Sequence, residues 1–302
     1  GEQEPGCGFP VVQLIGLMNL ESAAIEHFSH SPLQAHEGRL FECELASKLR
    51  CGDVLVADRQ FCSFLQIAQL AGRGVEAVMR LNGSREWPKG AKGDETVAVW
   101  KRPSLSQCPD DVSEEQWRAL PAVMSMRYVR RVLRRKGFRD QRIIIATTLM
   151  EAAAEEIVLA YARRWEIELS FDDIKTTLGM DFVRAKSPQT AWKTITVHLI
   201  AYNLVRWQML RAAKACGVVA RRISFRGALD ALRAFAQQMH RGTAKAVRRL
   251  REKLLEVIAA DLLPLRPFRV EPGVRKRRPK PFPLMTRPRR ILRDQILDSM
   301  RA

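Results

Sequence analysis

The chain has 302 residues, of which 46% are hydrophobic and 28% charged, with a net charge of +18. That is enough apolar chain to bury a core in one large domain or two modest ones, and no apolar run reaches membrane-spanning length. Residues 1–210 hold 27 Lys and Arg against 26 Asp and Glu, whereas residues 211–302 hold 24 against 7. A near-neutral body with a basic C-terminal third points to a polyanionic partner, most simply nucleic acid, with a solubilising charge run or an anionic membrane surface as the other readings.

Gly1–Gly8 is polar and Gly-rich and reads as a loop, without the features of a secretory signal. Residues 11–20 and 24–28 read as two strands around a turn near Glu21-Ser22. Residues 41–49 suit a helix ended by Cys51-Gly52. Residues 53–57 (Asp-Val-Leu-Val-Ala) form the short apolar run of a buried strand that ends at Asp58. A helix over 61–71, closed by Gly72 and Gly74, then leads to a strand over 75–81. This strand–helix–strand alternation predicts an α/β core. Residues 82–147 change character: Gly83, Pro88, Gly90 and Gly93 punctuate short β-like pieces, and 124–133 with 138–147 suit a hairpin around Lys136-Gly137. Helical patterns follow at 155–178, 191–215, 226–239 and 243–260. Residues 264–290 are rich in Pro, Arg and Lys and read as an arm.

The helix over 155–178 carries the chemistry. At about 100° per residue, Tyr161, Arg164, Glu168 and Lys175 fall within an arc of roughly 60°, and Glu168 is the single acid on that stripe. Ile167, Phe171, Ile174 and Leu178 form a neighbouring apolar stripe that can pack on a core. A carboxylate among a phenol and two cations suits a phosphodiester site: the acid can hold a metal, and the cations can hold the backbone of a nucleic acid. Asp58, at the end of a strand, is the second candidate. Strand-end and helix acids that converge are what two-metal phosphoryl transfer requires. Taken singly, Asp58 also reads as a helix N-cap and Glu168 as an i, i+4 ion pair with Arg164. Asp172 and Asp173 read as facing solvent or an Arg. The run Arg127–Arg142 reads equally as a solvated strand face or a DNA-facing one. Trp87, Trp100 and Trp117 read as small-core aromatics, with stacking on an unpaired base as the alternative, and Trp207, Met209 and Leu210 as helix packing. The six cysteines show neither a CxxC pair nor zinc spacing, which suits a reduced protein with free thiols. His27, His30 and His36 lack a metal-binding frame and read as ordinary loop or strand-end residues.

Tyr161, Arg164, Glu168 and Lys175 also reproduce, at every position, the signature Tyr, two residues, Arg, three residues, Glu, six residues, Lys. With Trp165–Phe171, Lys175–Met180, Leu55–Phe61 and Tyr202–Arg206, the chain resembles the DDE transposases of bacterial insertion sequences, in the insertion-sequence-four group, over roughly residues 9–210. The resemblance implies an α/β fold with an RNase H-like core, interrupted by a mainly β insertion and followed by a helical C-terminal region. On that expectation the core's first part is 1–81 with its first strand missing, the insertion is 82–147, and the core's second part with the Glu168 helix is 148–215. The helical C-terminal region is 216–263 and the basic Pro-rich arm 264–302.

The resemblance further implies divalent-metal-dependent cleavage at element ends, with Mg²⁺ or Mn²⁺, and strand transfer into target DNA. Asp58 and Glu168 would be catalytic metal ligands, and Tyr161, Arg164 and Lys175 would grip phosphates of double-stranded DNA at element ends and target. The expected setting is the bacterial cytoplasm in association with the nucleoid, as a homodimer in a paired-end complex. The family's first acid lies on a strand preceding the segment that starts here at Phe9. Glu2 and Glu4 sit in the Gly-rich opening, and Asp53 is an odd offset of five from Asp58, on the opposite strand face. The expectation is therefore a partial chain without the first catalytic Asp, from a truncated, frameshifted or decayed gene. The alternative is a catalytically inactive remnant that only binds DNA or dimerises.

Overall fold

The computed structural model describes residues 12–32, 37–133, 141–181, 183–185, 187–264 and 289–300. The Gly-rich opening, His36, the hairpin tip at Lys136-Gly137 and most of the Pro-rich arm lie outside these residues. The chain divides into two compact units, the first containing Phe28–Tyr161 and the second containing Leu17–His27 and Ala162–Arg269.

Strands β1 (Val12–Met18) and β2 (Ile25–Pro32) pair as a two-stranded sheet. Their turn is set by Asn19, whose side-chain oxygen accepts from the Glu21 and Ser22 amides at 2.9 and 3.0 Å. Short polar side chains that bond the following backbone are what such a turn needs. The helical stretch expected at 41–49 forms in three pitches: α1 (Glu37–Leu40), a π turn over Phe41–Leu45 and a 3-10 turn over Ala46–Lys48.

A five-stranded sheet organises the first unit. Its members are β3 (Val54–Ala57), β4 (Glu76–Arg80), β5 (Glu95–Lys101), β6 (Val123–Leu133) and β7 (Gln141–Thr147), in the order β3-β4-β7-β6-β5. β3 and β4 run parallel, Val54 opposite Glu76 through Ala57 opposite Met79. A parallel pair requires a crossover, and α2 (Phe64–Gly72) supplies it, capped by Ser63, whose hydroxyl accepts from the Gln66 amide. Asp53 lies before β3, not on it, and its Oδ2 accepts from the Arg50 amide at 2.7 Å. The remaining pairs are antiparallel. The β-rich stretch after residue 81 therefore builds onto the same sheet, because β7 pairs with β4 (Val78 opposite Thr147). Within it, α3 (Glu114–Ala119) starts at a Ser113–Gln116 capping box, a Ser-x-x-Gln signal that hydrophobic periodicity alone does not reveal.

The core beneath this sheet holds Val78, Val129, Ile143, Ile145, Ala154 and Ile157, all buried. The second unit is helical: α6 (Pro188–Cys216), α7 (Phe225–His240) and α8 (Ala244–Ala260) pack on one another. Each begins at a hydroxyl N-cap, Ser187, Ser224 and Thr243, and α6 ends at Gly217 with φ +66°. These are the start and stop signals of the sequence, and the helices fall where its periodicity places them. A further helix, α9 (Arg289–Ser299), lies in the segment that reads in sequence as a basic Pro-rich arm.

Candidate active site

Asp58 follows β3 directly and is part-exposed. One carboxylate oxygen, Oδ1, accepts from the Arg59 amide at 2.6 Å and caps the 3-10 turn Arg59–Phe61. The carboxyl group thus projects from the C-terminal end of a parallel strand with Oδ2 uncommitted among the described residues. Capping and metal ligation are compatible here, because one oxygen suffices for each.

The single helix expected over 155–178 is divided. α4 (Ala154–Ala162) and α5 (Trp165–Asp172) are separated at Arg163-Arg164, and a π turn covers Asp173–Thr177. At the break the hydrogen bonds shorten to three-residue steps, Glu166 amide to Arg163 carbonyl at 2.9 Å and Ile167 amide to Arg164 carbonyl at 3.2 Å. The 60° arc requires one unbroken α pitch, so it no longer fixes where Tyr161 and Lys175 stand relative to Glu168. Tyr161 belongs to the first unit, where its ring packs against the Val78–Ile157 core. Arg164 and Glu168 are brought together: Nη1 and Oε1 are 2.9 Å apart, and Glu168 is exposed. Lys175 is exposed on the π turn, its ammonium 5.8 Å from the Phe171 ring centre. Ile174 is fully buried, as the apolar stripe requires.

A polar network fixes this segment within the second unit. Arg206 on α6 pairs with Asp173 at 3.2 Å and donates to the Tyr202 hydroxyl at 2.9 Å. That hydroxyl donates to the Ala23 carbonyl at 2.8 Å, and Asn203 brackets Ile25, accepting from its amide at 2.9 Å and donating to its carbonyl at 2.8 Å. The π turn and the tip of the first hairpin are therefore tied to α6 by one buried and several part-buried hydrogen bonds, which are costly to leave unmade. Burial pushes the Asp173 carboxyl up to about 6, and the Arg206 cation pulls against it. Burial also raises Glu166, which pairs with Arg163 at 3.4 Å and Arg221 at 2.6 Å. Asp173 faces an Arg, and Asp172 accepts from the Thr176 hydroxyl at 3.0 Å.

Other candidates resolve differently. Arg127 donates to the Met150 and Ala152 carbonyls at 3.0 and 2.5 Å and to Glu95 at 2.6 Å, Arg130 pairs with Asp94, and Arg131 with Glu155. These cations of the Arg127–Arg142 run are committed to partners within the protein. Trp100 and Trp117 are buried, Trp100 donating to the Tyr128 hydroxyl at 2.6 Å, and Trp87 is half-buried beside Arg130. Trp207 departs from its expectation: Met209 is buried, but Trp207 is 53% exposed. The sequence could not separate them, since α6 carries apolar residues on opposite faces.

Among the described residues, no group of three or more His, Cys, Asp or Glu side chains is placed to hold a metal ion. Asp58 and Glu168 nevertheless have the chemistry for one: each is an accessible carboxylate, the hard oxygen donor that Mg²⁺ takes together with waters and phosphates. The cysteines Cys43, Cys51, Cys62, Cys108 and Cys216 are unpaired, and no described helix is long and apolar enough to cross a membrane.

These features define a mixed α/β protein that holds an exposed carboxylate against a guanidinium on a helix, with a helical, cation-rich C-terminal part. The chain belongs to the Transposase DDE domain family, whose profile matches residues 2–204. It is similar to the transposase InsG for insertion sequence element IS4 of Escherichia coli (strain K12), 24% identical over 283 residues, which are 91% of this chain and 62% of that protein. It is also similar to the transposase for insertion sequence element IS421 of Escherichia coli, 37% identical over 65 residues, which are 21% of this chain and 18% of that protein. The insertion-sequence-four resemblance agrees with the first of these, and the chain spans less than two thirds of that relative's length.

Proposed function

We propose that the chain is the catalytic portion of a DNA transposase, cleaving at element ends and transferring strands into target DNA. The observation that carries this is the family match over residues 2–204, which spans Asp58, Tyr161, Arg164, Glu168 and Lys175. Asp58 and Glu168 are the metal ligands on this reading, for Mg²⁺ or Mn²⁺. When bound, the divalent ions supply activation of the attacking oxygen and stabilisation of the leaving oxygen. On this reading Arg164, ion-paired with Glu168, and Lys175 bring positive charge to a phosphate, and Tyr161 adds a hydroxyl contact. The pairing of the two acids is supported by the sequence blocks around them.

The RNase H-like core with a β-rich insertion at 82–147 is part of this proposal. It is supported by the parallel β3–β4 pair with an acid at the end of β3, and by the antiparallel strands that follow. Among the described residues β3 pairs on one side only, with β4. Double-stranded DNA, homodimerisation on paired ends and a cytoplasmic, nucleoid-associated setting belong to the same reading.

The test is cleavage and strand transfer on element-end DNA, supplied both intact and pre-cut, with Mg²⁺ or Mn²⁺. Metal-dependent products abolished by Asp58→Asn and by Glu168→Gln, with duplex affinity retained, are expected. Products unaffected by either substitution would overturn the assignment. A second reading, DNA binding or dimerisation without catalysis, is favoured by the exposed cations of α8. It predicts salt-sensitive duplex binding with no metal-dependent product from any substrate, pre-cut ends included.

A further inference from the structure

The second unit holds a groove of about 330 Å³ between α6, α7 and α8 that the catalytic reading does not use. α6 contributes Trp207 and Arg211, α7 contributes Leu232 and Met239, and α8 contributes Arg251 and Leu254. Trp207 is 53% exposed, on a face of α6 that also exposes Val197, Ile200 and Leu204. The Arg211 guanidinium lies 4.9 Å from the Trp207 ring centre. Among the described residues neither Arg211 nor Arg251 has a carboxylate partner, whereas Arg127, Arg131, Arg206 and Arg221 all do. An accessible aromatic face, an apolar floor and two uncompensated cations at one concavity form a chemically specific combination.

We propose that this groove binds an unpaired nucleotide of single-stranded DNA, the base against Trp207 and the flanking phosphates on Arg211 and Arg251. The choice of a single strand follows from the aromatic and apolar surface. A duplex keeps the faces of its bases inside its own stack and presents phosphates, which would engage the arginines and leave Trp207 and its apolar floor without a partner. Unpaired bases offer the missing planar face. A guanidinium stacked on an indole keeps its N–H edge free for phosphate, so the Trp207–Arg211 pair can serve both parts of one nucleotide. The proposal rests on the reading of the chain as a DNA-acting protein and adds a contact outside the Asp58 and Glu168 residues.

The test uses the full chain in EDTA, with a labelled oligothymidylate of about a dozen nucleotides and a duplex of equal length, a comparison that exploits the sequence tolerance of base stacking. Trp207→Ala is expected to weaken single-strand binding about tenfold while changing duplex binding much less, and Trp207→Phe to recover most of the loss. Arg211→Gln and Arg251→Gln should each reduce the single-strand salt slope by about 0.7. Single-strand affinity and slope unchanged in all four variants would overturn the proposal. So would an equal loss on duplex and single strand with Trp207→Ala, since that is a general phosphate surface. If Trp207→Ala fails to fold, the two exposed arginines carry the test. Because no metal is present and the groove lies outside Asp58 and Glu168, failure here is distinguishable from failure of the metal-dependent cleavage assignment.

Discussion

Glu42 is a carboxyl whose environment opposes its charge. It sits part-buried on the π turn before β3, and burial first, then the neighbouring Asp111 carboxylate, pushes it up to about 7 from 4.5, against a lowering hydrogen bond from Gln66. The folded state therefore binds a proton more tightly than the unfolded chain does. Stability from this group is complete below pH about 4.5 and is lost as pH rises through about 7. Glu42→Gln keeps an amide able to bond Gln66 and removes the charge. It should leave stability near pH 4 unchanged and raise it at pH 8 by about 1–2 kcal/mol, a figure already reduced for solvent screening of a part-exposed group. Denaturant melts at the two pH values check this; equal effects at both would contradict it. Asp173 follows the same sign but has Arg206 at 3.2 Å, so its removal strands a part-buried cation. Asp173→Ala should cost about 3 kcal/mol, whereas replacing an exposed acid such as Glu252 should change stability by no more than about 0.5 kcal/mol.

At the scale of elements, the crossover from β3 to β4 depends on Gly74. Its φ is +70°, and a Cβ built there would stand 2.6 Å from the Cys51 sulfur. Gly74→Ala should destabilise by about 1–3 kcal/mol, of which the left-handed backbone alone accounts for about 1–2. Pairing it with Cys51→Ala relieves the clash and should recover part of the loss, which a double-mutant cycle in urea would measure. β6 is tied to the segment before α4 by Arg127, whose side chain is 14% exposed and reaches the Met150 and Ala152 carbonyls. Arg127→Ala should cost about 2–4 kcal/mol, as charged hydrogen bonds and a part-buried ion pair disappear together. Most of the strands and helices are legible in sequence because they have a local period and local punctuation; α3, which only a capping box marks, and α9, in the basic arm, are not. The division of the 155–178 helix was not, because no Gly or Pro marks it. Arg163 instead reaches out of the helix to the Leu20 carbonyl, 143 residues away in sequence.

At the scale of the molecule, charge is segregated. The C-terminal third carries 24 Lys and Arg against 7 Asp and Glu. On α8, Lys245, Arg249 and Lys253 recur at four-residue spacing, are all exposed and have no acid partner among the described residues. If this face meets duplex phosphates, its affinity follows counterion release. Replacing the three by Gln should lower the duplex salt slope by about 0.9 for each phosphate no longer neutralised. Titrations between about 50 and 200 mM salt, where such neutralisation matters most, would detect it; an unchanged slope would remove α8 from the interface.

Neighbours a few residues apart are enough to specify the α/β alternation, the capped helices, the excess of cations after residue 210, and the spacing of Tyr161, Arg164, Glu168 and Lys175 that marks the family. All of these can be read along the chain. The remainder is set by folding in three dimensions. Long-range pairing joins β7 to β4 and so continues one sheet through the β-rich stretch. Contacts distant in sequence select which apolar face of α6 is covered: Tyr202 bonds the Ala23 carbonyl and stacks on Phe225, Met209 is buried, and Trp207 is left at the surface. Partners distant in sequence commit Arg127, Arg130 and Arg131 to internal ion pairs. Periodicity records only that a side chain is apolar or charged; which surface or counter-charge it meets is settled by approaches between segments tens to hundreds of residues apart, and no local pattern encodes those.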